Sequence, residues 1–221
     1  MYPGGERVTI TELNKLTGGL SRPSKMPCYS FSLPAAKCLR GAELAKVKGT
    51  VCSTCYALKG RYRFPTVRDA QQRRFKALMD DSRNGFYNWS DWMTELIDRR
   101  EHSGFFRWHD SGDLQSVGHL KAIIRVAEAL VHIRFWLPTR ELKIVKECYV
   151  SGLPLPLNLT IRLSRDSIGD SEEQLFTELL PTSSVSSGIG WTCQAPHHQG
   201  QCNSCRACWE PRVKNVDYAL H

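Results

Sequence analysis

No stretch of this 221-residue chain is apolar over the roughly 20 residues that a bilayer-spanning helix needs, so no membrane partner is expected. The N-terminus, MYPGGERVTITELNK, lacks the apolar core of a secretory leader, which predicts a cytoplasmic protein. Compositional bias is also missing. Hydrophobic residues are 41%, aromatics 10% and charged residues 24%, values that exclude a disordered or collagen-like chain. The length suits one domain, large enough to bury a core without disulfide staples. The cysteines lack an even count: nine cannot all pair. In an unexported chain, that many point to metal or redox chemistry rather than to a disulfide framework.

A dense basic tract is absent too, yet the charge is uneven. The net charge is +8, with a net of +10 over residues 1–83 and −2 over residues 84–221. Three readings stand side by side. The basic N-terminal third contacts nucleic acid, displacing phosphate counterions. Alternatively, its cations offset the anionic charge of a thiolate-rich site. Or they form a solvated face.

The hydrophobic pattern predicts alternating strands and helices. Residues 1–27, with their glycines, prolines and serines, read as a loose lead-in. Cys28–Leu33 alternates and stops at Pro34, as a first strand would. Helices are expected after Thr66 as a cap, from Ser90, after Ser116 as a cap, and over Arg140–Tyr149. Further strands are expected at Phe105–Trp108, Ile133–Leu137, Leu157–Leu163 and, more weakly, Ser183–Ser187. Such alternation implies βαβ units and a mostly parallel sheet of about five or six strands. The expected fold is α/β, a partial β/α barrel, with an open doubly wound sheet as the alternative. Residues 28–188 would form this domain with the first cysteines, and residues 189–221 a cysteine-rich segment packed on it. In either architecture the polar loops after the strands gather at the sheet's C-terminal edge, where sites form.

Eight cysteines fall into two groups. Cys28, Cys38, Cys52 and Cys55 end in CxxC; Cys193, Cys202, Cys205 and Cys208 end in CxxCxxC. Two CxxC turns could together build a four-cysteine zinc site. Three thiolates at three-residue steps suit three corners of an iron–sulfur cubane, with Cys193 as a fourth ligand. The groups could also mix, Cys28 or Cys38 completing a site dominated by the other end. Cys148 falls in a helical pattern and reads as a buried apolar residue. His197 and His198, between Cys193 and Cys202, read either as metal-site residues or as a solvated loop.

The segment Trp108-His109-Asp110-Ser111-Gly112-Asp113 packs an imidazole, two carboxylates and a hydroxyl into one strand-to-helix turn. His109, Asp110 and Asp113 are candidates for proton transfer, and Ser111 and Gly112 for holding a small polar cofactor. The same residue types also satisfy free N–H groups at a helix start. Arg140, following a neighbouring strand, could clamp an anion or tie two loops together; Arg162 and Arg165 carry the same two readings.

Six segments carry a resemblance. Phe31-Ser32-Leu33-Pro34-Ala35, Cys52–Tyr62 (CSTCYALKGRY), Arg107–Leu114 (RWHDSGDL), Phe135–Glu141 (FWLPTRE), Asn158–Ser164 (NLTIRLS) and Cys202–Trp209 (CNSCRACW) resemble the phage gene-product-88 family. That family has no established activity, and membership implies the host cytoplasm. Its layout is distantly similar to radical S-adenosylmethionine enzymes, which hold a cubane with one open iron on three cysteines. The similarity implies Cys38, Cys52 and Cys55 as those three, with Cys28 outside or as a fourth, and the His109–Asp113 carboxylates near the cofactor's amino group. The usual CxxxCxxC is absent: 13 residues separate Cys38 from Cys52.

The expected function is that of an iron–sulfur protein with one or two [4Fe–4S] clusters and a redox role, served by an electron-donor protein. The alternatives are a radical enzyme using S-adenosylmethionine and a zinc-stabilised nucleic-acid binder.

Overall fold

Along the three central strands of the computed structural model, large apolar residues alternate with polar or aromatic ones. Phe106, Trp108, Phe135, Leu137, Leu159, Ile161 and Leu163 point to one face and enter the main core. Arg107, Trp136, Thr160 and Arg162 occupy the intervening positions and face the other way. Both faces are covered, but by different materials, and that difference positions the site.

The structure describes residues 7–170 and 179–220; the first six residues of the lead-in lie outside them. The helices are α1 (Ile10–Thr17), α2 (Arg40–Leu44), α3 (Pro65–Asp80), α4 (Tyr87–Arg100), α5 (Val117–Ala129) and α6 (Leu142–Val150). The strands are β1 (Ser30–Phe31), β2 (Phe105–Trp108), β3 (Arg134–Thr139), β4 (Leu159–Ser164), β5 (Thr182–Val185), β6 (Trp191–Thr192) and β7 (Asn215–Tyr218). They form one sheet in the order β1-β2-β3-β4-β5-β7-β6, and every pairing is parallel.

The sheet is open, with seven strands where five or six were expected. Its order runs one way from β1 to β5, as strands follow one another round a barrel, and the sheet does not close. The reversal of order that marks a doubly wound sheet is absent over those strands. The apolar faces of α3, α4, α5 and α6 pack on one side with Leu78, Trp89, Met93, Ile97, Leu120, Ile123 and Val145. Ser116 caps α5 as expected, its side chain accepting from the His119 N–H. Among the described residues, no helix is long and apolar enough to cross a membrane.

Three expectations are corrected. The lead-in carries α1, whose Thr9 and Glu12 form a reciprocal capping box and whose Leu13 is buried against α3 and α4. Helix α3 starts at Pro65 and has no side-chain cap, because Phe64 rather than Thr66 precedes its first turn. The C-terminal segment adds β6 and β7 to the sheet. Their neighbours are joined by polar side chains: Thr182 Oγ1 donates to Asn215 Oδ1 at 2.8 Å, and Ser184 Oγ to Asp217 Oδ1 at 2.8 Å.

Candidate functional site

All strands being parallel, the loops after β1, β2, β3 and β4 meet at one edge. Cys38 lies in the loop after β1, and Cys52 and Cys55 follow in a run of short 3₁₀ turns. A Cβ added to Gly41 would meet the Cys38 Cβ at 3.0 Å, the Cys52 Sγ at 3.5 Å and the Cys38 Sγ at 3.6 Å. Gly41 is therefore the floor on which two thiols converge. Cys55 is the next thiol, its N–H donating to the Cys52 carbonyl at 3.2 Å. Burial first, then Asp113 and the neighbouring thiols, push the Cys38 thiol well up. Burial also raises Cys52, while the Arg140 guanidinium pulls it the other way.

Side chains at the ends of β2, β3 and β4 hold this assembly. The Glu141 carboxylate accepts the N–H groups of Leu39 and Arg40 at 3.2 and 2.8 Å, and burial raises it to about 6. The Asp166 carboxylate pairs with Arg40, while its carbonyl accepts the Val51 N–H. Asp113 accepts from Thr139 Oγ1 at 2.6 Å, Arg140 N at 2.9 Å and Leu114 N at 2.8 Å; burial raises its pKa and these three bonds oppose the rise. Arg140 Nε donates to the Arg165 carbonyl. Asp110 is the anchor for the CSTCYALKGRY segment. Its carbonyl accepts Tyr56 Oη at 2.6 Å, and its carboxylate accepts Tyr62 Oη at 3.1 Å and Ser30 Oγ at 2.6 Å.

The other candidates of that turn are placed differently. His109 adopts a left-handed backbone, φ +53°, and is buried with its ring 5.3 Å from that of His119. Burial, His119 and Arg107 depress its pKa well below the ordinary value. Ser111 and Gly112 tie the turn to β1's extension. Ser111 Oγ donates to the Leu33 carbonyl at 2.9 Å and the Ser111 carbonyl accepts Leu33 N–H at 2.8 Å. Gly112 has φ +80°, and a Cβ there would come 2.5 Å from the Leu33 Cβ.

The second cysteine group covers the sheet's other face. Trp209 stacks edge-on against Trp136 at 5.1 Å and donates its indole N–H to the Phe106 carbonyl at 2.9 Å. Arg162, fully buried, donates to five carbonyls: Ala207, Cys208, Glu210 and Val213 of the C-terminal segment, and Thr182. Of the two readings of Arg162, the structure takes the structural one. Arg107 lies nearby, its guanidinium 4.4 Å from the Trp136 ring centre and its Nη1 3.7 Å from Met26 Sδ.

Cys28 is not with Cys38. It packs with Trp136 and Trp209 on this second face, beside Met26, Cys208 and Tyr218. Every cysteine is free of disulfide bonds, Cys148 is buried on α6, and His197 and His198 are exposed. Among the described residues, no three histidine, cysteine or carboxylate side chains converge as the ligands of a single metal ion.

A family model described as gene product 88 matches residues 6–187. The chain belongs to the gene product 88 family. The match takes in Cys28, Cys38, Cys52, Cys55 and the strands through β5, and stops before Cys193. The Cys202–Trp209 segment, expected to carry part of the resemblance, lies beyond the matched residues. No curated protein and no solved structure matches the chain.

Sequence reasoning missed Gly41, Tyr56, Tyr62, Arg107 and the anchoring role of Glu141. Tyr56 and Tyr62 belong to the CSTCYALKGRY run, so a signal existed for them. Nothing in the sequence marks Gly41.

Proposed function

We propose that this gene product 88 protein binds an iron–sulfur cluster, of the [4Fe–4S] type, through Cys38, Cys52 and Cys55, and serves a redox role. The supporting observation is the Gly41 floor: two thiols share a space that any other side chain would fill. Cys55 acts electrostatically on both thiols, yet among the described residues no three ligands converge as around one ion, which suits separate irons of a cluster better than one tetrahedral ion. When bound, such a cluster supplies one-electron transfer. The chain's own residues position it. Glu141 and Asp166 fix the loop carrying Cys38, Arg140 places positive charge near Cys52, and Tyr56 and Tyr62 hang the following segment on Asp110. An electron-donor protein is the partner this role requires.

The test is an iron and acid-labile sulfide assay on protein purified without oxygen, with its visible spectrum. Matching iron and sulfide with broad absorbance supports the reading; colourless protein with stoichiometric zinc overturns it.

A second reading, a radical enzyme using S-adenosylmethionine, is favoured by the separation of Cys28 from the first set. Three thiols leave one iron of a cubane without a protein ligand. Adding S-adenosylmethionine to the reduced protein would then change its electron paramagnetic resonance spectrum and yield methionine and 5′-deoxyadenosine. A fully loaded protein with neither response refutes it.

A further inference from the structure

We infer that Cys28 is a ligand of a second iron–sulfur site, built with the C-terminal cysteines on the sheet's helix-free face. The inference rests on the iron–sulfur reading above and extends it to a site that the first three cysteines do not form.

The chain's path separates Cys28 from Cys38. Cys28 comes two residues before β1, and Cys38 lies in the loop beyond that strand's other end. Cys38 is committed to Gly41 and Cys52 at the C-terminal edge. Cys28 turns instead toward residues 202–209. The Cys202 N–H donates to the Lys25 carbonyl at 3.3 Å, and Cys202 Sγ lies 4.0 Å from Met26 Sδ. The start of CxxCxxC is thus stitched to the three residues that precede Cys28. Cys28 shares its packing cluster with Cys208, Trp136 and Trp209. Cys193 joins through the sheet, its N–H donating to the Asp217 carbonyl of β7 at 2.8 Å.

The surroundings suit an anionic cluster. Arg107 and Arg206 each favour the thiolate of both Cys28 and Cys202. Arg107 Nε is buried with no hydrogen-bond partner, so it is a donor that a bound acceptor could satisfy. Arg162 holds the loop's carbonyls in place, and the Cys208 thiol is within 3.1 Å of the Tyr218 hydroxyl. Burial first and then Glu101 push the Cys28 thiol up to about 12, while Arg107 and Arg206 pull it the other way. A cubane takes four thiolates. The face presents five, so the set contains one thiol in reserve, while the first site keeps three.

Two measurements on the full-length protein test this. Anaerobic reconstitution with iron and sulfide is followed by iron and sulfide analysis of wild type, Cys28→Ser, Cys38→Ser, Cys202→Ser and the paired variants. Cys28→Ser and Cys202→Ser are expected to reduce the same portion of the iron, with no further loss when combined. Cys28→Ser with Cys38→Ser is expected to lose nearly all of it. Loss shared by Cys28→Ser and Cys38→Ser, and not by Cys202→Ser, overturns the assignment. Wild type that takes up no iron overturns the iron–sulfur reading itself, and the second measurement then stands alone. Mild oxidation of the metal-free protein with peptide mapping is expected to trap a Cys28–Cys202 disulfide. A dominant Cys28–Cys38 disulfide overturns the grouping whatever the metal.

Discussion

The carboxylate of Asp113 accepts the Thr139 hydroxyl at 2.6 Å, joining the loop after β2 to the last residue of β3. The same carboxylate takes the Arg140 N–H, so the guanidinium beside Cys52 starts from a fixed backbone. The other carboxylate oxygen takes the Leu114 N–H, so an asparagine could not keep the set: its amide NH₂ would face the backbone N–H of either Leu114 or Arg140. Asp113→Asn is expected to cost about 2 kcal/mol of folding stability, read by urea denaturation. An unchanged midpoint would show that the loop is held by other bonds.

Gly41→Ala separates site from scaffold. Gly41 lies inside α2 at an ordinary backbone angle, and alanine there favours the helix by about 1 kcal/mol. The added methyl occupies the space shared by the Cys38 and Cys52 sulfurs. The expected result is a protein at least nearly as stable as wild type with reduced iron in the first set. Full iron loading in this variant would remove the Gly41 floor from the argument.

Arg162 should act mainly on the C-terminal segment, to which four of its five carbonyl partners belong. Arg162→Met removes the guanidinium from the carbonyls of Ala207, Glu210, Val213 and Thr182, of which Ala207 and Glu210 keep the N–H groups of Glu210 and Val213. The expected cost is on the order of 3 kcal/mol. Limited proteolysis should then cut within residues 193–214 before it reaches the helices. Simultaneous cleavage everywhere would mean that Arg162 supports the whole fold.

The buried imidazoles set an acid limit. His119 is fully buried and its pKa falls to about 3, from burial alone. His109 is depressed too. In the unfolded chain both bind protons near their ordinary value, so unfolding takes up protons below about pH 6.5. Stability therefore falls as pH drops through 6.5, by about 2 kcal/mol at pH 5 from His119, with a loss of the same sign from His109. Chemical denaturation at pH 8 and pH 5 measures the loss, and His119→Phe should reduce it by about 2 kcal/mol. A flat profile would place both imidazoles in contact with water.

What could be read in the sequence was what hydrophobic period reports. β2, β3 and β4 alternate around Phe106, Phe135 and Ile161, and α5 shows its stripe from Leu120 to Ala127, so these elements and their order were legible. β7 was not, because Asn215 and Asp217 point to neighbours on β5 that are themselves polar. A strand held by hydroxyl, amide and carboxylate pairs has no apolar signature. α1 was hidden by the glycines and prolines around it, although Thr9 and Glu12 wrote its start. At the site, the cysteine spacings raised metal ligation as an expectation, and the WHDSGD turn put polar side chains at a strand end. The separation of Cys28 from Cys38 is decided by which end of β1 each one occupies, and by a hydrogen bond from residue 202 to residue 25. Contacts between the chain's two ends leave no local pattern.

The two faces of the sheet also imply an order of assembly. The core beneath the helices is aliphatic and aromatic, and Cys148 is its one cysteine among the described residues. That half can collapse and hold its shape with every other thiol still bare. The opposite face closes only when residues 193–218 come back to residues 25–28, more than 160 positions away in sequence. That face is thereby built on a scaffold already formed, and any cluster held there would be loaded after the helical half has folded.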